Sequence, residues 1–221
     1  ATAKDGSALA CKLQYPDMSS AVEADISQLQ MLFAVHRQFN PIIDTQEAAR
    51  EIAERVREEL DYRRESKHAA LYALMLKDAD NVRVPGVRNE LSTGRLLTLE
   101  WLDGRKLLEF KAADQDTRNR IAVAMFRAWW HPFSQFGVIH GDPHLGNYTV
   151  FEEDGQAKGI NLLDYGCIRI FPPSFSQGVV DLYEGLRTHD EARIVHAYES
   201  WGFRGLRRDV IETLNIWARF I

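Results

Sequence analysis

The sequence has few cysteines, no long apolar run and no excess of positive charge. Its two cysteines, Cys11 and Cys167, lack C-x-x-C spacing, which argues against a disulfide framework or a cysteine zinc site. Both lie in apolar segments, and we expect them to be buried free thiols in a reducing compartment. No apolar run reaches the roughly 18 residues that a membrane-spanning helix needs. The net charge of −5 does not favour a nucleic-acid-binding surface, and Arg204, Arg207 and Arg208 are interpreted as the solvated start of a helix.

The remaining composition is that of an ordinary globular protein. The 221 residues are 45% hydrophobic and 27% charged, which suffices for one large domain or for two small lobes that share a cleft. There is no signal peptide, and the chain begins without Met, directly in what resembles a hairpin. We therefore expect a fragment whose natural N-terminus, with any targeting signal, lies upstream.

Turn signals and hydrophobic periodicity divide the first half of the chain. "KDGS" predicts a hairpin turn before a short strand in "ALACKLQY", and helical periodicity runs from about residue 20 to 39. Asp44 and Glu47 form a capping box, which predicts one long helix over about 45–76. "VRVPGVRNE" and "GRLLTLEWLDG" predict two antiparallel strands around a polar turn.

The second half is predicted to be mainly helical. An apolar helix ends at Gly137, the strands "NYTVF" and "GINLLDYG" flank the turn "EEDG", and helices with breaks near 189 and 202–205 follow. This order predicts an α+β fold with a small mixed lobe and a larger helical lobe. We assign residues 1–102 to a partial N-lobe with a long helical insertion, and residues 103–221 to a helical C-lobe that carries the catalytic and metal-binding loops.

Three oxygen-bearing side chains lie at the ends of short apolar runs: Asp142, Asn147 and Asp164. The two strands that flank the "EEDG" turn would bring Asn147 and Asp164 side by side. Aspartate and asparagine supply the hard oxygen ligands that magnesium prefers, and Asp142 would be free to accept a proton from an attacking hydroxyl. This set predicts phosphoryl transfer. Zinc bound by His140 and His144 is only weakly indicated, because no cysteine accompanies them.

Lys12, on the first strand, is the candidate for the cation that phosphoryl transfer also needs. A lysine on a strand requires an anionic partner to hold its ammonium, and "EELDYRRE" offers Glu59, Asp61 and Glu65. Asp61 and Glu65 are four residues apart and share one helix face, and we choose Glu65 as the partner. The plainer alternatives are an exposed lysine on a sheet edge and a solvated helix face.

Taken together, these segments resemble one family. "HGDPHLGN" with "LLDYG" is similar to the catalytic and metal-binding loops of the protein-kinase-like superfamily, above all of its UbiB/AarF-type atypical kinases, which are tied to ubiquinone biosynthesis. "ACKLQYP", "EELDYRRES" and "LLTLEWLDG" resemble that family's lysine strand, E-L-D helix and hinge, in the same order. The resemblance covers about residues 1–166 and implies a protein-kinase-like two-lobe fold.

The resemblance also implies roles for the residues at the chemical centre. Lys12 would contact the phosphates of ATP, with Glu65 as its helix partner. Asp142 matches the acid of the catalytic loop. Asn147 and Asp164 match the magnesium ligands.

Further residues match the elements that surround the nucleotide. Glu59 and Asp61 match the family's E-x-D element, which faces and constrains the active site. Glu100, Trp101 and Leu102 would present backbone groups to adenine. The family's K-x-G-Q segment and its Ala-rich nucleotide loop would lie upstream of residue 1.

The function implied by this resemblance is that of an ATP-dependent phosphotransferase or ATPase. It would bind Mg-ATP between the lobes and support the biosynthesis of ubiquinone, an isoprenoid quinone. No A-P-E element follows "DYG", so a peptide-docking platform is missing and a small-molecule or lipid-linked role fits better. The expected partners are a nucleotide and a quinone-precursor or lipid ligand, with no nucleic acid. The expected location is cytoplasmic and peripheral to a membrane, either the bacterial inner membrane or its organelle equivalent.

Two alternative functions remain open. Aminoglycoside- and choline-kinase-like phosphotransferases also use an H-G-D-x-x-x-x-N loop followed by I-D-aromatic, although "EELDYRRE" and the lysine in "KLQYP" favour the UbiB type. A pseudokinase-like scaffold would bind nucleotide or a lipid partner without turnover. The intact set of Asp142, Asn147 and Asp164 counts against such a scaffold.

Overall fold

The structure is a computed structural model that describes residues 1–39 and 45–219, without the side chains of residues 38 and 39. Strands and helices are mixed along the chain in an α+β architecture. In chain order, the elements are β1 (Leu9–Leu13), α1 (Met18–Phe39), α2 (Thr45–Glu58), α3 (Tyr62–Met75), β2 (Val82–Arg83), β3 (Leu96–Glu100), β4 (Arg105–Lys106), α4 (Gln115–Phe136), β5 (Val138–His140), β6 (Tyr148–Glu153), β7 (Gln156–Leu162), β8 (Ile168–Ile170), α5 (Pro173–Thr188), α6 (Glu191–Ser200) and α7 (Arg208–Ala218).

The single long helix predicted over 45–76 is wrong, because α2 and α3 are separate helices. Asp61 caps α3: its Oδ1 accepts hydrogen bonds from the backbone N–H groups of Arg63, at 3.1 Å, and Arg64, at 3.0 Å. The first N–H groups of a helix have no partner within it, and a capping aspartate supplies one. Asp44, which was predicted to begin the helix, lies outside the described residues.

The predicted antiparallel pairing of "VRVPGVRNE" with "GRLLTLEWLDG" is confirmed only around one bridge, between Val87 and Leu99. Strand β3 pairs antiparallel with β1, whereas β2 runs parallel to β7 in a mixed sheet of order β2-β7-β6-β4. At that bridge, the N–H of Arg88 donates to the carbonyl of Thr98 at 2.9 Å, and the N–H of Glu100 donates to the carbonyl of Gly86 at 2.8 Å. Pro85 lies within the first segment, between β2 and Val87, and proline interrupts a strand ladder because it has no N–H to donate.

The hairpin predicted from "NYTVF" and "GINLLDYG" is confirmed as β6 and β7. Asp154 and Gly155 have φ angles of 51° and 74°, as expected for the tight turn that best fits the twist of two strands. Beyond the other end of the hairpin, the N–H of Leu163 donates to the carbonyl of Asn147 at 3.0 Å. The segments that carry Asn147 and Asp164 are therefore brought together.

Two compact units make up the chain. The first comprises Ala1–Ala128 and His140–Ile168, and the second comprises Trp129–Ile139 and Arg169–Ile221. The second unit is helical, and its core includes Leu182, Ile194, Ala197, Tyr198 and Ala218. This grouping divides the chain differently from the predicted boundary after residue 102, and the assignment of the two lobes stays a prediction.

Both cysteines are free, but the predicted burial of Cys11 is wrong. Cys11 is exposed and Cys167 is partly exposed. Cys11 precedes Lys12 in β1, and successive side chains of a strand point to opposite faces. The side chain of Cys11 therefore lies on the face of β1 that does not carry Lys12.

Candidate active site

Strand β1 and helix α3 bring Lys12 against Glu65. Nζ of Lys12 lies 3.1 Å from Oε1 and 3.0 Å from Oε2 of Glu65, so the predicted ion pair is present. The Glu65 side chain is only 3% exposed. Lys12 also lies 5.4 Å from the centre of the Tyr62 ring, an attractive arrangement for a cation. Because the Asp61 cap sets where α3 begins, it also sets which helix face carries Glu65.

Asp164 also contacts the ammonium of Lys12. Its Oδ2 lies 3.1 Å from Nζ of Lys12, and its Oδ1 accepts the N–H of Gly166 at 2.9 Å. The Asp164 side chain is 34% exposed, far more than that of Glu65. A single cation thus serves two carboxylates in different surroundings.

The pKa values of the two acids are shifted in opposite directions. Desolvation raises the pKa of Glu65, and the charge of Asp164 adds to the rise, against the opposing effect of Lys12. Desolvation would also raise the pKa of Asp164, but the N–H of Gly166 and the ammonium of Lys12 lower it below its ordinary value of 3.8. Desolvation would lower the pKa of Lys12, but Glu65 and Asp164 outweigh it and raise that pKa. Lys12 is therefore a cation at neutral pH.

Asp142 and Asn147 are joined within one loop. The side-chain nitrogen of Asn147 donates to the carbonyl of Asp142 at 3.2 Å and to its Oδ2 at 2.8 Å. The other carboxylate oxygen of Asp142 accepts the N–H of His144 at 3.2 Å. Because Asn147 donates through its nitrogen, its side-chain oxygen is left as an acceptor for a cation.

His140 connects the loop of Asp142 with the loop of Asp164. Its Nε2 lies 2.7 Å from the carbonyl oxygen of Asp164, and its Nδ1 accepts the N–H of Asp142 at 3.3 Å. A carbonyl can only accept, so the ring proton is on Nε2. His140 is buried, and its ring packs edge-on against Tyr72 with centroids 6.1 Å apart. A single imidazole thus holds the backbones of both acid-bearing loops.

A cavity of about 350 Å³ opens in front of these groups, and all its lining residues belong to the first compact unit. Its polar wall carries Lys12, Asp142 and Asp164. An apolar wall of the same cavity consists of Met18 and Val22 from the start of α1, Val56 from the end of α2, and Leu60 from the segment after α2. Sequence analysis missed this wall, because periodicity identifies apolar helix positions without showing what they cover.

The two residues matched to the E-x-D element are placed differently. Glu59 lines the cavity, whereas the side chain of Asp61 is occupied by its hydrogen bonds to the start of α3. The structure therefore links Asp61 to the geometry of Glu65. A role for Glu59 toward the nucleotide stays a prediction.

The predicted hinge is only partly available to a ligand. The N–H of Glu100 donates to the carbonyl of Gly86 at 2.8 Å, and that of Trp101 donates to the carbonyl of Ala8 at 3.2 Å. These two N–H groups are taken by the protein. The predicted contact with adenine therefore falls to carbonyl groups of this segment and to the N–H of Leu102.

Gln14 is a further residue of the site that sequence analysis missed. It is 6% exposed, and its side-chain nitrogen donates to the carbonyl of Leu60, between α2 and α3. The sequence signal for Gln14 is that it follows Lys12 by two residues, because residues two apart on a strand share one face. Gln14 therefore lies on the same face as Lys12 and holds the segment that positions Glu65.

The candidate magnesium ligands are one carboxylate and one amide. In the part of the chain that the structure describes, no group of three His, Cys, Asp or Glu side chains is arranged to hold a metal ion. Magnesium keeps several waters and takes phosphate oxygens as further ligands. The donor set of Asn147 and Asp164 therefore fits magnesium that arrives together with a nucleotide.

Three features are typical of a protein-kinase-like chain. They are a lysine held by a buried glutamate, a loop that carries Asp142 and Asn147, and an aspartate just after a hairpin. Residues 1–198 match the ABC1 atypical kinase-like domain, and the chain belongs to that family. The predicted resemblance to UbiB/AarF-type atypical kinases is thereby confirmed.

Three relatives illustrate the match. The rat mitochondrial atypical kinase COQ8B is 26% identical over 200 residues, which cover 90% of this chain and 37% of COQ8B. The chloroplastic protein ACTIVITY OF BC1 COMPLEX KINASE 8 of Arabidopsis thaliana is 25% identical over 206 residues, which cover 89% of this chain and 26% of that protein. The chain thus spans little more than a third of the length of COQ8B and about a quarter of the length of the Arabidopsis protein.

The third is a solved structure, Rv3197 of Mycobacterium tuberculosis in complex with erythromycin. It superposes with a TM-score of 0.74 at 26% identity and covers 98% of this chain and 55% of Rv3197. This likeness confirms the predicted kinase-like α+β fold. As for membranes, none of the helices in the described residues has the length and apolar character required to cross one.

Proposed function

We propose that this protein binds Mg-ATP in the cavity beside Lys12 and acts as an atypical kinase or ATPase in support of ubiquinone biosynthesis. The observation that carries the proposal is the position of Nζ of Lys12, which lies within 3.1 Å of both Glu65 and Asp164. An ammonium held by a buried partner is ready to bind phosphate oxygens. A phosphate would replace the contact to Asp164, while Glu65 continues to hold the lysine.

Asn147 and Asp164 would hold the magnesium ion, which would neutralise charge on the phosphate oxygens. The segments that carry these two residues are joined by the hydrogen bond from the N–H of Leu163 to the carbonyl of Asn147, and His140 holds the backbone of Asp164. The backbone of the site is therefore held in place before a ligand arrives. Such preorganisation lowers the cost of binding.

Asp142 would orient the attacking hydroxyl or accept its proton. Its two oxygens accept hydrogen bonds from His144 and Asn147, and a carboxylate has about four acceptor positions in all. Capacity for one more hydrogen bond therefore remains. Asp142 lines the cavity, as this role requires.

The apolar wall of the cavity supports an acceptor or ligand with apolar character. Met18, Val22, Val56 and Leu60 line the same cavity as the polar groups. A quinone precursor or lipid fits such a wall better than a peptide does, and a peripheral location at a membrane would supply it. The mitochondrial and chloroplastic names of the relatives are consistent with an organelle or its bacterial equivalent.

Transfer to a soluble hydroxylated small molecule is a second candidate function. Rv3197, which shares this fold, was solved in complex with erythromycin, a hydroxylated small molecule. Asp142 would orient the hydroxyl of such a molecule or accept its proton, as it would for a quinone precursor. The two functions differ in the acceptor and not in the handling of nucleotide.

The test is phosphate release from Mg-ATP by the protein, with and without membranes and quinone-precursor-like phenols. We expect release that phenols or membranes increase and that Asp142→Asn lowers by about 10²–10⁴-fold. Robust phosphorylation of choline, an aminoglycoside or erythromycin would favour the second candidate.

Binding is measured in parallel. At about 100 times its dissociation constant, Mg-ATP should stabilise the protein by roughly 2.7 kcal/mol. Stabilisation without phosphate release would indicate a pseudokinase-like scaffold, and the absence of both would contradict the proposal.

A further inference from the structure

A second cavity, of about 370 Å³, adjoins α3 and the segment that precedes β3. Arg63 and Lys67 line it from α3, and Asn89 and Thr93 line it from the other segment. Residues four apart on a helix share one face, so the two cations lie next to each other. Tyr62 lines both this cavity and the candidate active site.

The two cations of this cavity lack acidic partners. Within the described residues, neither Arg63 nor Lys67 forms an ion pair, although Arg64, between them in the sequence, is bonded to Glu58. No described residue that lines the cavity is acidic. The cavity therefore holds positive charge that the protein does not neutralise locally.

Two neutral groups of the cavity, Asn89 and Thr93, present hydrogen-bond donors. The side-chain oxygen of Asn89 accepts from the hydroxyl of Ser66 at 3.2 Å, which leaves the amide nitrogen of Asn89 to donate. The hydroxyl oxygen of Thr93 accepts the N–H groups of Arg95, at 3.2 Å, and Leu96, at 3.1 Å, which leaves its hydrogen. Both groups thus have their acceptor sides occupied within the protein.

We propose that this cavity binds a small tetrahedral oxyanion, a free phosphate or the phosphate group of a small phosphomonoester. Arg63 and Lys67 would supply charge-assisted hydrogen bonds, and Asn89 and Thr93 would supply neutral ones. Most oxygens of such an anion are negatively charged acceptors at neutral pH, which suits the two cations and the two neutral donors that line this cavity. The volume also leaves room for a small organic group.

The position of the cavity suggests an effect on the active site, and this part of the inference rests on the proposed function. An anion bound to both segments would join α3 to the segment before β3. Tyr62 lies between the two cavities, with Nζ of Lys12 at 5.4 Å from its ring centre. A bound anion would therefore favour the helix position in which Glu65 holds Lys12.

Calorimetric titration with inorganic phosphate, at constant ionic strength in chloride, tests the site. We expect one saturable phosphate site in the wild type. The double variant Arg63→Gln/Lys67→Gln should weaken it by at least about tenfold, because two charged contacts are lost. The matched control, Lys77→Gln/Lys111→Gln, removes the same charge from two exposed residues outside the cavity and should bind phosphate normally.

The variant Lys12→Gln separates this site from the candidate active site. Phosphate binding that survives Lys12→Gln and is lost in the Arg63→Gln/Lys67→Gln variant supports the proposal. Binding that is lost in Lys12→Gln alone, equal binding by the cavity variant, or no saturable binding to the wild type overturns it. Thermal denaturation verifies that each variant is folded.

Titrations with Mg-ATP distinguish failure of this inference from failure of the proposed function. Tighter Mg-ATP binding in the presence of phosphate supports the coupling, and an unchanged affinity overturns the coupling alone. If phosphate binds at Arg63 and Lys67 but Mg-ATP does not bind at all, the anion site stands and the proposed function fails.

Discussion

Lys12 is shared by a buried carboxylate and a partly exposed one, and this division sets the chemistry of the site. Glu65 is buried, whereas the Asp164 side chain is 34% exposed and lines the cavity. Because one ammonium cannot fully neutralise two acids, the more exposed one is the carboxylate that a metal ion would use. The individual roles of these residues can be separated by single substitutions.

Asp164→Asn and Asp142→Asn should have different effects. Loss of the Asp164 carboxylate should weaken Mg-ATP binding, because it removes a metal ligand. Asp142→Asn should spare binding and lower turnover by about 10²–10⁴-fold, as expected for loss of a general base. Calorimetry measures Mg-ATP binding, and phosphate release measures turnover. Equal loss of binding in both variants would mean that the role assigned to Asp142 is wrong.

The lowered pKa of Asp164 predicts how the stability of the protein depends on pH. Its pKa is lower in the folded state than the ordinary 3.8, so its carboxylate stabilises the fold above pH 3.8. That contribution is lost as the pH falls through the folded-state pKa. The difference in unfolding free energy between wild type and Asp164→Asn, from urea denaturation, should therefore shrink below pH 3.8. A difference that stays constant from neutral to strongly acidic pH would contradict this.

At the level of elements, the break between α2 and α3 decides where Glu65 points. Asp61 closes the start of α3, and Gln14 holds the carbonyl just before it. Removal of either contact frees the segment that positions the ion pair. The two contacts can be tested independently.

Asp61→Ala should destabilise the protein by about 0.5–2 kcal/mol, the usual effect of losing an N-cap. Asp61→Ser keeps a capping oxygen and serves as the matched control, with a smaller expected loss. Chemical denaturation measures both variants. Equal destabilisation by alanine and serine would show that Asp61 acts through something other than its cap.

Gln14→Leu should destabilise by about 1–3 kcal/mol, because the carbonyl of Leu60 loses its donor. The same variant should weaken Mg-ATP binding, since the segment that carries Glu65 is released. Gln115→Leu, at an exposed glutamine of α4, should change stability by no more than about 0.5 kcal/mol. Denaturation and calorimetry give the two readouts, and a loss of stability with unchanged binding would make Gln14 a purely structural residue.

At the scale of the whole molecule, the candidate site draws all its side chains from the first compact unit. The second unit has its own buried cluster, with Leu182 fully buried among the side chains of α5, α6 and α7. Stability and nucleotide binding should therefore respond differently to changes in the second unit.

Leu182→Ala should cost about 2–5 kcal/mol of stability, the range for a buried leucine. Mg-ATP affinity, measured well below the unfolding transition, should be unchanged. Ile216→Ala removes an aliphatic side chain that is 68% exposed and should have little effect on stability. A large loss of nucleotide affinity in Leu182→Ala would show that the second unit shapes the site.

Sequence patterns predicted several parts of this arrangement. The β6–β7 hairpin follows from "EEDG", and the pair Lys12–Glu65 followed from the need of a strand lysine for an anion. The single long helix was predicted wrongly because a helical period continues across "EELDY", and only the cap at Asp61 shows the break. The pairing of "VRVPGVRNE" was predicted only in part, because the two-residue strand β2 carries too little pattern to select β7 as its partner.

The amino-acid sequence by itself determined the turns, the helix caps and the order of the acid-bearing loops. These features depend on residues that are near each other in the sequence. Packing between distant segments determined the rest. The apolar wall from α1 and α2, the contact of Gln14 with Leu60 and the cavity at Arg63 and Lys67 each join residues far apart in the chain. Such contacts depend on how the elements fold against one another, and no spacing in the sequence records that.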